Sequence, residues 1–344
     1  MKKISILLSF TLIFCCGCSE SEQPQQIGIP AVRDFFAMDT YMNLKVYGEN
    51  AEKAASECEN EIKNLENLLD VTNENSDIWK INHSNGKNTP VSNITLNLIN
   101  TAIKIGNQTK GALDITIYPV LKEWGFTTGE YKIPSQKTLS QLIKNVDYSR
   151  IETFTDNVTI PENFQIDMGA LAKGYTSDRL MEIFKKYNIS SAIVNLGGNV
   201  QTLGKKTDGT LWNVAVVNPF DPQTDICIVS VENKAVITSG NYERFFIGDD
   251  EKKYWHIIDS EDGYPADNGL VSVTIIGESG LLCDALSTAL FVMGLDDAVE
   301  FWKSGKYDFD MILVTDDAKM FITEGIESNC KQTVNIKAEV IKNE

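Results

Sequence analysis

Chemistry in this sequence concentrates where oxygen ligands, a lysine and small residues recur at spacings that could hold an anion. The stretch Asp167-Met168-Gly169-Ala170-Leu171-Ala172-Lys173-Gly174-Tyr175 leads an extended, apolar-flanked run into the start of a helix. Its glycines let backbone approach a ligand closely, and the first free helix N–H groups can face an anion such as a diphosphate. Lys173 would add a point charge for a phosphate, and the Ala170 carbonyl an oxygen for a cation. A glycine turn beside a solvent-facing lysine would look the same in sequence. Further on, Cys283-Asp284-Ala285-Leu286-Ser287-Thr288 puts Asp284 and Thr288 four apart on one helical face, so a carboxylate and a hydroxyl can reach one cation. Mg2+ accepts such oxygens and is usually completed by substrate phosphates. Asp284 as a helix cap above an inward-packed Thr288 is the plainer alternative. His256, within Tyr254-Trp255-His256-Ile257-Ile258-Asp259, faces away from its immediate neighbours if the run is a strand. It is either a structural strand histidine or, beside a metal-bound phosphate, a proton carrier. His83, in a polar stretch, is given no role.

Composition limits what these residues can serve. With 344 residues, 42% apolar and 23% charged, the chain can bury a sizeable core as one domain or two closely packed halves. A formal net charge of −17 leaves no basic surface for nucleic-acid phosphates, so no nucleic-acid partner is expected. An anionic ligand would therefore need a metal or helix N-termini. The sequence contains no GxxxxGK[ST], GxGxxG or HExxH, and Ser239 in Thr238-Ser239-Gly240 is not in a GxSxG elbow.

The N-terminus speaks to compartment. Lys2-Lys3, an apolar stretch over 4–14 and Cys15-Cys16-Gly17-Cys18 read as a secretory signal over residues 1–17. Gly17-Cys18 resembles a lipobox, which makes Cys18 the expected lipidated residue and 18–30 a polar tether. The expected location is the bacterial cell envelope, lipid-anchored to a membrane and facing the periplasm or the exterior. An ordinary signal peptide with incidental cysteines is the other reading. Cys58, Cys227, Cys283 and Cys330 form no CxxC pair and are expected as buried free thiols.

The elements that must position the chemistry are expected as follows. Residues 35–47 read as a strand and 51–69 as an amphipathic helix with Ala54, Cys58, Ile62, Leu65 and Leu69 on one face. Residues 72–90 read as a loop, 93–109 and 138–145 as helices, 151–160 as a hairpin and 175–187 as a helix. Residues 192–200 read as a buried strand broken by Gly197-Gly198. Strands follow at 212–217, 226–231, 235–238, 245–247, 254–258 and 271–276, with helices at 281–293 and 297–303 and a hairpin from 311–314 and 320–323. Intermixed strands and helices without a βαβ rhythm indicate an α+β fold.

Read together, the spaced motifs resemble the ApbE family of FAD:protein FMN transferases. Met38-Asp39-Thr40 resembles the family's Met-Gly-Thr, and Gly111 through Leu113-Asp114-Ile115-Thr116 and Pro119 to Trp124-Gly125-Phe126 its second motif. Asp167 to Tyr175 with Asp178-Arg179 follows D-x-G-x-x-A-K-G-Y-x-x-D-R, and Val194 to Asn199 resembles V-N-L-G-G-D. Thr238 to Arg244, His256 to Asp259 with Gly263-Tyr264-Pro265, and Asp284 to Ala289 complete the order. The resemblance implies a T-fold-related α+β architecture of mainly antiparallel sheets and packed helices, with 31–344 as the catalytic domain. It also implies Mg2+ on the Ala170 carbonyl, Asp284 and Thr288, and FAD as substrate lined by Met38, Ala112, Leu113, Asp114, Asp167, Lys173 and Ile258. His256 is then the proton carrier. The implied clients are extracytoplasmic flavin-accepting subunits of membrane redox complexes. An FAD pyrophosphatase and a non-catalytic FAD-binding lipoprotein are the alternatives. The chain departs from the family pattern with Asp39 for Gly, Asn199 for Asp, Trp255 for His, and Ser260-Glu261-Asp262 for Pro-x-Thr.

Overall fold

The computed structural model describes residues 29–343. The expected signal peptide, Cys18 and most of the tether lie outside the described residues. Nine strands form the central sheet in chain order. They are β1 (Ala31–Ala37), β2 (Thr40–Tyr47), β3 (Ser191–Leu196), β4 (Asn199–Leu203), β5 (Ala235–Gly240), β6 (Leu270–Gly277), β7 (Asp310–Thr315), β8 (Lys319–Thr323) and β9 (Lys337–Ile341). Neighbours pair antiparallel up to β8, and β9 joins β8 in parallel.

The turns of this sheet correct two expectations. Residues 35–47 are not one strand: Met38 and Asp39 both take left-handed backbone (φ 48° and 58°) and reverse the chain, pairing Ala37 with Thr40. A two-residue turn of this kind matches the twist of the flanking strands, but usually carries Asn or Gly, which is why the sequence hid it. Gly197 and Gly198 (φ 65° and 97°) make the same kind of turn, so 192–200 is a hairpin that starts β4 at Asn199.

The helices are α1 (Ala51–Leu69), α2 (Asp77–Asn82), α3 (Asn93–Gln108), α4 (Tyr118–Trp124), α5 (Gln136–Leu142), α6 (Ala172–Lys186), α7 (Gly280–Met293) and α8 (Leu295–Lys303). The apolar face expected for α1 is buried, with Ala54, Cys58 and Ile62 joining Leu180 and Phe184 of α6 against Met42, Leu44 and Val194 of the sheet. Leu286, Leu290 and Phe291 of α7 meet Ile237, Val273 and Ile275. On the opposite face a three-stranded sheet (Trp212–Val217, Asp225–Val231, Cys330–Gln332) packs Val214 and Val229 against Val236, Ile276 and Ile312. Because β6 is covered on both sides, every one of its residues is buried. The architecture is α+β, as the mixed order of elements indicated, with mainly antiparallel sheets, as the resemblance implied.

The expected loop over 72–90 contains α2. Ser76 caps it by accepting the Trp79 N–H at 2.9 Å. Six residues are too few to show a helical period.

Candidate active site

The site is built where α6 crosses α7. A side chain on Gly174 would put its Cβ 2.2 Å from the Gly280 carbonyl oxygen and 2.5 Å from Asp284 Cβ. Bare backbone at both glycines therefore lets the helices touch. At the contact Gly174 N–H donates to Asp284 Oδ2 at 2.8 Å. The expected joint at 167–175 and the downstream carboxylate, 110 residues apart in sequence, thus meet directly. Gly174 lies in the first turn of α6, where its N–H has no partner within the helix, and Asp284 supplies one. Asp284 is not the cap of α7. Ser279 accepts from Leu282 N–H at 3.3 Å, and Asp178 of α6 accepts from Gly280 N–H (2.6 Å), Leu281 N–H (3.0 Å) and Ser279 Oγ (2.9 Å). One turn beyond Asp284, half-buried Thr288 has its hydroxyl 3.3 Å from Ser239 Oγ at the end of β5.

From this crossing a chain of contacts runs through the remaining expected residues. The Thr176 hydroxyl of α6, which donates to the Ala172 carbonyl at 2.7 Å, lies 3.7 Å from Met38 Sδ. The next residue, Asp39, accepts from Arg244 Nη2 at 3.0 Å. The Arg244 carbonyl in turn faces His256 twice, through its backbone N–H at 3.1 Å and its ring Nδ1 at 3.2 Å. A carbonyl can only accept, so Nδ1 carries the proton and Nε2 is left with its lone pair. Ile258 is buried beside Trp124 and bridges to Pro265. Ser260 then donates to the Gly111 carbonyl at 3.0 Å, tying this segment to the Ala112-Leu113-Asp114 turn. That turn closes the circuit, because Ile115 accepts the Asp167 N–H at 2.8 Å. Asp114 spends its own carboxylate on the turn, accepting from Thr116 N–H and Oγ1 and from Tyr148 N–H.

Charge in the cleft is mixed and crowded. Burial pushes the Asp284 and Asp167 carboxyls upward, against the pull of Lys173 on both and of Arg244 on Asp167. Asp167 also accepts the Gly169 N–H at 2.7 Å. Burial raises Glu243 to about 7, with Lys173 opposing. Glu243 is nonetheless exposed to solvent, which weakens the burial behind that rise. His256 is lowered to about 4 by burial and by the charges of Arg244 and Lys173, so it is neutral at pH 7. The amide of buried Asn199 lies beside the Asp284 carboxylate without a well-formed hydrogen bond, its Nδ2 lacking a partner.

The donor set suits a hard cation. A carboxylate, a hydroxyl and the Ala170 carbonyl just ahead of α6 are oxygen ligands of the kind Mg2+ accepts. Among the described residues no group of three His, Cys, Asp or Glu is placed to hold a metal ion. A cation here would need the Ala170 and Thr288 oxygens and those of its ligand.

A cavity of about 250 Å3 opens beside the segment leading into Asp167. Trp79, Tyr118 and Gln165 wall it, and Asn82 bonds both the N–H and the carbonyl of Ile166 at 2.7 and 2.9 Å. Trp79 and His83 stack at 3.9 Å on its rim. As members of a loop over 72–90 neither ring has an evident role; Ser76 three residues before Trp79 is the sequence signal for the helix that aligns them. A larger hollow of about 370 Å3 between Asn268 and Lys319 lies at the other end of α7, where the Asn268 amide binds the Phe291 and Val292 carbonyls. It shares no residue with this cluster.

Comparison with known proteins gives a consistent result. Residues 38–313 match the model of the ApbE family. The chain is 32% identical over 285 residues to an FAD:protein FMN transferase of Klebsiella pneumoniae (strain 342), covering 81% of this chain and 87% of that protein. It is 26% identical over 310 residues to the FAD:protein FMN transferase of Escherichia coli (strain K12), covering 86% and 88%. The crystal structure of the ApbE protein from Thermotoga maritima superposes with a TM-score of 0.82 at 30% identity, over 87% of this chain and 99% of that one.

Proposed function

This chain belongs to the ApbE family, and from that premise we propose that it transfers the FMN moiety of FAD to a threonine hydroxyl of a client flavoprotein, releasing AMP. The threonine oxygen forms a bond to the FMN phosphorus, the bond from that phosphorus to the AMP oxygen breaks, and the hydroxyl proton passes to Nε2 of His256. Such a transfer depends mainly on positioning and charge stabilisation. With Nδ1 engaged, neutral His256 presents the Nε2 lone pair for the proton; a pKa of about 4 makes it a weak base, which keeps its share toward the low end of about 10²–10⁴-fold.

What supports this reading above all is the α6–α7 crossing, which brings Gly174 and Asp284 into hydrogen-bond contact. We assign Mg2+ to Ala170, Asp284 and Thr288, where it would neutralise charge on the diphosphate, with Lys173 adding a second positive charge. Met38, Ala112, Leu113, Asp114, Asp167 and Ile258 would line the FAD site, Asp114 through its main chain. The cavity walled by Trp79 and Tyr118 has room for a flat ring system. Residues 31–344 would act as one catalytic domain, held in the cell envelope by a lipid on Cys18 and facing extracytoplasmic flavin-accepting subunits. Among the described residues no helix is long and apolar enough to cross a membrane.

The test is incubation with FAD, Mg2+ and a client carrying an acceptor threonine, followed by mass measurement of the client and assay of AMP. Client mass should rise by one FMN with matching AMP. Asp284→Asn should remove the reaction, and full Mg2+-dependent activity in that variant would sink the metal assignment. Free FMN with an unmodified client would identify a pyrophosphatase instead.

A further inference from the structure

The Asp39–Arg244 ion pair links the β1–β2 turn to the segment that carries His256. Its partners meet at 3.0 Å with side chains 78% and 42% exposed. An exposed, singly bonded pair is weak and easily exchanged. The backbone at Asp39 has φ 58°, a conformation glycine adopts without steric cost, and the family motif carries Gly there. The side chain at this position is thus not required by the turn, and what it adds is a carboxylate against Arg244.

Arg244 is well placed for another anion. Its carbonyl is fixed by His256, and its charge reaches the Asp167 and Glu243 carboxyls inside the cleft. Guanidinium is suited to phosphate because its planar fork presents several donors at once, and Asp39 engages one nitrogen of that fork.

We propose that Arg244 binds a phosphate of FAD and that Asp39 is its internal competitor, so that nucleotide binding exchanges carboxylate for phosphate on one guanidinium. The proposal rests on the reading that FAD binds beside Asp167 and His256. It makes Asp39 a residue that sets FAD affinity in this chain, and it gives the two partners opposite effects.

The experiment measures FAD dissociation constants by flavin fluorescence on the full chain, with EDTA present to prevent turnover. Asp39→Asn and Asp39→Gly, both compatible with left-handed backbone, should bind FAD about threefold more tightly than the parent. Arg244→Gln should bind on the order of tenfold more weakly. The Asp39→Asn/Arg244→Gln double variant should match Arg244→Gln alone, because the competitor matters only while the guanidinium is present. Unchanged or weaker binding in both Asp39 variants would overturn the competition, as would a gain that persists without Arg244. A parent chain that binds FAD neither in EDTA nor with Mg2+ restored would sink the functional reading along with this proposal. Binding with the wrong pattern among variants would sink this proposal alone.

Discussion

His256 shows how the cleft tunes a single group. Burial and the Arg244 and Lys173 charges lower it to about 4 from an ordinary 6.5, so the folded chain keeps it neutral while the unfolded chain protonates it. Between those values the unfolded state binds more protons, and stability from this residue falls as pH drops from about 6.5 toward about 4. The melting-temperature advantage of the parent over His256→Gln should therefore shrink across that window. An advantage that is flat or grows on acidification would contradict the assignment. Thiols respond to their surroundings in the same way. Burial raises Cys58 to about 12 and raises Cys283 further, while the contact with Cys227 lowers partly exposed Cys330. Thiolate is the reactive form, so among the four cysteines of the described residues a short iodoacetamide pulse on the native protein should label Cys330 first and leave Cys58 and Cys283 unmodified, as peptide mass mapping would reveal.

At the scale of elements, the α6–α7 crossing links fold to chemistry. Gly174→Ala forces a Cβ against the Gly280 carbonyl and Asp284. It should cost about 1–3 kcal/mol in denaturant unfolding and weaken FAD binding at the same time. Asp178→Asn attacks the same joint from the other side, since the carboxylate answers two free N–H groups at the start of α7; a loss of about 1–2 kcal/mol is expected. If Gly174→Ala unfolds like the parent, the crossing is looser than its geometry indicates. Helices long enough to show a period were legible in sequence: α1 spans 51–69 as expected, and α3 stops one residue short of its expected end. Some features of six residues or fewer were not. The Met38-Asp39 turn lacks the usual Asn or Gly, α2 is a six-residue helix, and α6 begins at Ala172, three residues early, which puts Lys173 and Gly174 in its first turn. Motif order pointed to the joint and the downstream carboxylate as one site. The Gly174–Gly280 contact and the Asp39–Arg244 pair depend on tertiary packing that no local pattern encodes.

Across the whole molecule, catalytic and structural duties separate along the sheet. The cleft draws on the β1–β2 turn, the start of β4, the end of β5 and the helix face, whereas β9 lies four strands beyond β5, roughly 19 Å away. Residues 314–344 also fall outside the stretch that matches the family model. The last part of the chain contributes β9 and the strand Cys330–Gln332, which lengthens the small sheet over Val236 and Ile312, with Val334 and Ile336 packing at its margin. Most side chains of β9 face solvent, so its contribution is backbone pairing with β8 more than apolar burial. A chain ending at Asn329 should therefore melt roughly 3–10 °C lower while holding FAD within about twofold of the parent, because none of the contacts closing the cleft passes through residues 330–343. Thermal unfolding and flavin titration on the same preparation decide it. A collapse of FAD affinity with little change in melting temperature would mean that the far edge of the sheet reaches the cleft, and the separation drawn here would have to be abandoned.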